Sequence, residues 1–216
     1  MTVRVRAIVL RLLLTALGLT GWFWSQSLIG RRPMPASGIG DGLLEWTSPI
    51  NSYLYGHPGA ANALLIASSG VIDVLGLFLL GKWIFGTTVR PFLGLLLVLG
   101  LRQTMQALVA LPIPEHAIWH YPGFPSLLVT YGVSNDYFFS GHTAIAVLGA
   151  TELARDGSGW VIAAAVLIAF LEAATVLALR AHYTMDVFTG ALAALLVASW
   201  VGKISRPIDR LLSRAS

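Results

Sequence analysis

GWVIAAAVLIAFLEAATVLALR, residues 159–180, is an apolar run broken only by Glu172 before it closes on Arg180. A helix crosses a bilayer with roughly 20 mostly apolar residues, so this run reads as a membrane span. The polar cluster Arg180-Ala181-His182-Tyr183-Thr184-Met185-Asp186 follows directly, and a second apolar run then begins. Reading outward by the same criterion gives six candidate spans, at about 7–29, 60–81, 91–111, 141–154, 159–180 and 186–204. The fourth is short and is expected to begin a few residues earlier. Proline clusters separate the runs, as in Arg32–Pro35 and Leu111–Pro114. The expected fold is an all-α integral membrane bundle of six transmembrane helices. It is expected to form a single membrane domain over 1–216, with the motif-bearing half at about 91–204.

Composition supports the same class. Of 216 residues, 56% are hydrophobic and 11% charged, against roughly 25% charged in an ordinary soluble domain. That excludes a soluble enzyme, a disordered tail and a nucleic-acid module. The absence of cysteine excludes disulfides and thiolate chemistry. Arg4 and Arg6 precede the first run as in a signal peptide, but the run is long, ends in Trp22-Phe23-Trp24 and shows no small-x-small cleavage site. It is expected to be retained as a helix.

The net charge of +4 reads as loop charge that orients the bundle. Arg4, Arg6, Lys82, Arg90, Arg155, Lys203, Arg206, Arg210 and Arg214 fall on one side of the six spans, and Arg31, Arg32 and Arg180 on the other. Nine against three predicts both termini in the cytoplasm. The long loop from Pro112 to Ser140 has no Lys or Arg.

Two polar segments then fall together on the non-cytoplasmic face. One is Asn135-Asp136-Tyr137-Phe138-Phe139-Ser140-Gly141-His142-Thr143, and the other is Arg180–Asp186. The topology rests on Lys and Arg alone, so the convergence of the two segments is independent of it. Such a pair of histidines can run phosphoryl transfer through a covalent histidine. His182 and Asp186 are four apart, and a helical turn puts them on one face. A carboxylate accepting from one imidazole nitrogen leaves the other to attack, with His142 as the acid for the departing lipid oxygen. Ser140 and Gly141 lead into a helix, whose N-terminal amides favour an anion such as phosphate.

These residues resemble a known family. Ser140-Gly141-His142-Thr143, with His182-Tyr183-Thr184-Met185-Asp186 some forty residues on, is similar to the sphingomyelin synthase branch of the type 2 phosphatidic acid phosphatase superfamily. Arg102-Gln103-Thr104-Met105 leading to Leu111-Pro112-Ile113-Pro114 is similar to further stretches of that branch. From Leu101 to about Ala193, including Leu111–Glu115 and Phe138–His142, the chain also resembles plant phosphatidylcholine:diacylglycerol cholinephosphotransferase. The resemblance implies a six-helix bundle and a metal-independent, cofactor-free mechanism through a phosphohistidine. His182 would be the nucleophile, Asp186 its orienting carboxylate and His142 the leaving-group acid. The partners implied are a phospholipid donor and a lipid-alcohol acceptor such as diacylglycerol or ceramide. In the phosphatase branches, water takes the phosphate instead.

The phosphatase branches carry Lys-x6-Arg-Pro, Pro-Ser-Gly-His and Ser-Arg-x5-His-x3-Asp. Here Lys82 and Arg90-Pro91 have seven residues between them and lie on the opposite face, Phe139 replaces the proline, and Val176 stands where the last arginine would fall. Arg102 and Arg180 are the substitutes at hand, which favours the transferase branch. The expected substrate-binding set is Arg102, Ser140, Gly141, Arg180, Glu172 and Tyr137.

Charges within spans are functional hypotheses by default. Arg102 and Glu172 lie at about 14 and 12 Å from the outer ends of their spans at 1.5 Å per residue, so the two are expected to be partners. Asp73 is about 20 Å deep by the same count and has no assigned role. Trp119, Tyr121, Phe124, Tyr137, Phe138 and Phe139 in or beside the outer loop suit either an interfacial belt or cation–π binding of a quaternary ammonium. Two other readings remain open: a lipid phosphatase with water as acceptor, and a small transporter using Asp73, Arg102 and Glu172 as a polar pathway.

Overall fold

The computed structural model describes residues 13–17, 19–21, 23–25, 27–28, 38–131 and 137–215, without the side chains of 212–215. The chain divides into two units, Met1–Gly40 and Asp41–Ser216. In the first unit, the described residues between 13 and 28 are helical. Arg4, Arg6, Arg11, Arg31 and Arg32 lie outside the described residues, as do Trp22, Asn135 and Asp136.

The second unit is built of helices, with no strand among the described residues. They are α1 (Gly42–Trp46), α2 (Ser48–Gly56), α3 (Pro58–Ile84), α4 (Arg90–Leu108), α5 (Gly141–Asp156), α6 (Gly159–Ala178) and α7 (Thr184–Ala215). Proline at the first turn of α2, α3 and α4 starts each where its missing N–H costs nothing. Among the described residues, α3, α4, α6 and α7 are long and apolar enough to cross a membrane. Their outward faces carry Val74, Leu77, Leu96, Val166, Leu167, Phe170, Leu192 and Leu195, all exposed.

The fourth expected span departs from the sequence reading. α5 begins at Gly141, not earlier, because Ser140 is extended and caps it by accepting from Thr143 N at 3.3 Å. At 16 residues it is about 24 Å long. Its composition follows from its place: it touches α3, α4, α6 and α7, so it faces protein on its long sides and needs no apolar surface for lipid. Ala144, Ala146 and Gly149 let those neighbours approach, and Ile145 and Leu148 fill the core with Ile72, Leu75, Leu79, Leu95, Val98, Val197 and Val201.

One end of this unit is closed by ions. Glu152 is buried near the end of α5 and takes a two-pronged contact from Arg90, at 2.9 and 2.9 Å, with Arg155 at 3.1 Å and Lys82 at 3.8 Å. Ten residues separate Glu152 from His142 on the same helix, about 15 Å. Lys82 and Arg90 therefore belong to the end away from the histidines.

Candidate active site

The turn joining α6 to α7 places His182. Arg180 N donates to Leu177 O and Ala181 N to Val176 O, the paired bonds that close a helix with a left-handed residue. That residue is Arg180, at φ 52°, where glycine is usual and a side chain costs of order 1–3 kcal/mol. The strain is held by surrounding bonds. The Arg180 guanidinium donates to Glu115 O at 2.8 Å and Ser48 Oγ at 2.7 Å, and buried Asn51 donates to Ala178 O at 3.0 Å. Asp41 caps α1 through Leu43 N and Leu44 N, and also accepts from Thr184 N at 2.6 Å and Thr184 Oγ1 at 2.5 Å at the start of α7.

His182 lies before α7 rather than on it, and its imidazole is buried. Its Nδ1 is 2.7 Å from the Tyr137 carbonyl oxygen. A carbonyl can only accept, so Nδ1 carries the proton and Nε2 the lone pair. The expected carboxylate partner stands further off: Asp186 Oδ2 is 3.8 Å from Nδ1. That oxygen accepts instead from Tyr183 N at 2.9 Å, the reach-back bond of a capping box. Asp186 thus tops α7 while lending its charge to the imidazole across a gap. Its backbone oxygen accepts from Ser140 N at 3.1 Å, tying the two motif segments together. Tyr183 donates its hydroxyl to Pro112 O at 3.0 Å. Burial, reinforced by Asp186, raises this phenol above its usual range, so it stays a neutral donor.

His142 is the second residue of α5, buried, with its ring edge-on to Trp119 at 5.2 Å. Its Nε2 has no hydrogen-bond partner among the described residues, an uncommon condition for a buried nitrogen and one that suits a group awaiting substrate. Gly141 precedes it because Arg102 is there: a Cβ at Gly141 would lie 2.9 Å from Arg102 Nε.

These groups share one cavity of about 50 Å³, lined by Arg102, Trp119, Tyr137, Gly141, His142 and His182 together with apolar residues of α3, α4, α5 and the outer loop. Chemically it offers a lone-pair nitrogen, a second imidazole and a guanidinium around a partly open cavity. Ser140 sits behind it as the α5 cap, fully buried. Two expected residues lie elsewhere. Arg180 is spent on fastening the turn. Glu172 accepts from Ser68 Oγ at 2.5 Å and does not line the cavity. The expected Arg102–Glu172 pairing is therefore corrected: α4 and α6 do not touch, because equal depth fixes height in the bundle and says nothing of direction around it. Asp73 holds the outer loop, accepting from Ser126 Oγ, Leu127 N and Leu128 N. A polar pathway through Asp73, Arg102 and Glu172 is not formed by these contacts.

The fold is similar to the crystal structure of Aquifex aeolicus LpxE, with a TM-score of 0.57 and 21% identity, over 79% of this chain and 99% of that one. Against curated proteins the sequence finds no significant match. The sequence defines an enzyme acting on lipid phosphate head groups. Within that class the chain belongs to the AtPDCT1/2 family, the phosphatidylcholine:diacylglycerol cholinephosphotransferases, whose family model matches residues 41–203.

Proposed function

We propose that this protein moves a phosphocholine-like head group from a phospholipid to a lipid alcohol such as diacylglycerol or ceramide, through a phosphohistidine at His182. The observation that carries the reading is the bond from His182 Nδ1 to the Tyr137 carbonyl, which leaves Nε2 as the nucleophile beside the unpartnered Nε2 of His142. In the first half-reaction His182 Nε2 attacks phosphorus and the bond to the diacylglycerol oxygen breaks. Its electron pair leaves with that oxygen, which takes a proton from His142. In the second, the acceptor hydroxyl gives its proton to His142 and attacks phosphorus, and the P–N bond returns its pair to His182. Arg102 and the α5 amides offset the phosphoryl charge, and Asp186 the positive charge on the His182 ring. Six spans with both termini cytoplasmic, forming one membrane domain, would set this cavity in the non-cytoplasmic leaflet.

Hydrolysis is the competing outcome, since the fold is shared with LpxE, a lipid phosphatase. The test is purified protein with phosphatidylcholine labelled in its head-group phosphate, diacylglycerol or ceramide, and a His182→Ala control. Label in a new lipid supports transfer, and label in water-soluble product moves the reading to hydrolysis. Equal activity in the control removes the His182 mechanism.

A further inference from the structure

The outer loop returns into the bundle beside α3. Asp73 lies fifteen residues from the start of α3, about 22 Å along it. At that level its carboxylate accepts from Ser126 Oγ at 2.9 and 3.0 Å, Leu127 N at 2.8 Å and Leu128 N at 2.9 Å, while Val129 N donates to Ser126 Oγ at 3.1 Å. A turn higher on α3, Ser69 is hydrogen-bonded to the Tyr131 hydroxyl. Non-helical backbone packed among helices persists where its polar groups are satisfied inside the protein, and Asp73 and Ser126 do this. Gly76 completes the seat, because a Cβ there would lie 2.1 Å from Leu128 Cδ1.

The segment so held supplies Leu128, Val129 and Thr130 to the cavity. The other aliphatic lining residues are Ile72, Leu99, Ile145 and, beside His182, Ala181. Leu99 is three residues deeper than Arg102 on α4, and Ile145 three deeper than His142 on α5. The apolar floor therefore lies about one helical turn, some 5 Å, below the groups suited to phosphate, a separation comparable to the phosphorus-to-nitrogen span of an aminoethyl phosphate.

Resting on the head-group reading above, we propose that Ser126–Thr130 is the specificity-determining wall against the amine end of the donor, selecting a methylated ammonium over a bare one, with Asp73 as its positioning residue. The carboxylate's charge attracts either cation alike. Discrimination comes from hydrogen bonding: a bare ammonium loses water from its N–H groups and meets Leu128, Ile72, Leu99 and Ile145, whereas a trimethylammonium has no N–H to satisfy.

The test is the ratio of kcat/KM for phosphatidylcholine over phosphatidylethanolamine in detergent micelles, with a dimethylated analogue between them. The wild type is expected to favour the choline donor by about tenfold or more, as a site that strands N–H donors does. Leu128→Asn, which adds an acceptor to the wall, and Asp73→Ala, which releases it, are both expected to bring the ratio toward one. Ser126→Ala, which leaves Leu127 and Leu128 amides on Asp73, gives a smaller shift and covers the case in which Asp73→Ala does not fold. An unchanged ratio in folded Leu128→Asn and Ser126→Ala overturns the proposal. The ratio is equally readable from released phosphocholine and phosphoethanolamine, so hydrolysis in place of transfer would remove the transfer reading without touching this one.

Discussion

Arg102 Nε and Gly141 compete for one place: a Cβ on the glycine would sit 2.9 Å from that nitrogen and 3.3 Å from Arg102 Cδ. The guanidinium that lines the cavity is thus seated against the bare backbone at the start of the His142 helix. Gly141→Ala is expected to push the arginine aside without unfolding α5, where alanine is a better helix former by about 1 kcal/mol. Donor KM should rise at least several-fold while the melting temperature holds. Unchanged kinetics in a folded variant would show that Arg102 does not meet the donor.

The two histidines are expected to fail differently. His182→Ala should abolish turnover with every donor, because no nitrogen remains to take the phosphoryl group. His142→Ala should lose about 10²–10⁴-fold, the usual worth of a positioned acid. A donor whose leaving group needs no proton, such as a nitrophenyl ester of phosphocholine, should restore the first half-reaction in His142→Ala and leave His182→Ala dead. Equal rescue of both would remove the assigned division of roles.

Asp186 joins two duties that a conservative change separates. Asp186→Asn can keep an oxygen on Tyr183 N and so keep the cap of α7, but it removes the charge 3.8 Å from His182 Nδ1. Thermal stability is expected to change little, while kcat falls by about ten- to a hundredfold, one to two powers of ten at 1.36 kcal/mol each. Asp186→Ala should lose stability as well. A full-rate Asp186→Asn would leave the carboxylate a cap and nothing more.

At the other end of α5, Glu152→Gln strips the shared partner from Arg90, Arg155 and Lys82. Breaking a buried pair by removing one member costs about 3–5 kcal/mol. The three cations keep 21–36% of their side-chain surface, so about half that loss is expected after solvent screening. Turnover of the protein that remains folded should match the wild type. A selective loss of turnover would mean that this cluster reaches the cavity.

Residues of this protein differ in how plainly the sequence announces their place. Apolar length exposed α3, α4, α6 and α7, since lipid demands it of every helix that faces lipid. It undersold α5, whose neighbours remove that demand. The motif spacing led to His142 and His182, and the structure brings Arg102, Tyr137 and Gly141 to the same cavity. Arg180 and Glu172 share the motif neighbourhood in sequence yet point to other work, because depth and proximity along the chain leave direction undetermined. The Tyr137 carbonyl as partner of His182 carried no signal at all, as any residue there has one. The double cap by Asp41 and the Asp73 clamp join positions 143 and 53–55 residues apart. A lone aspartate in a single sequence does not announce such partners.

The seclusion of α5 also bears on how the protein is made. A helix that ends in Thr151-Glu152-Leu153-Ala154-Arg155-Asp156 is charged at that end and gains little from lipid as its only neighbour. Its neighbours are α3, α4, α6 and α7, and Glu152 meets Arg90 only once α4 is beside it. Placement of this helix and completion of the cavity would then be a single event in biosynthesis, and a chain stalled before α6 would hold a histidine helix without its neighbours.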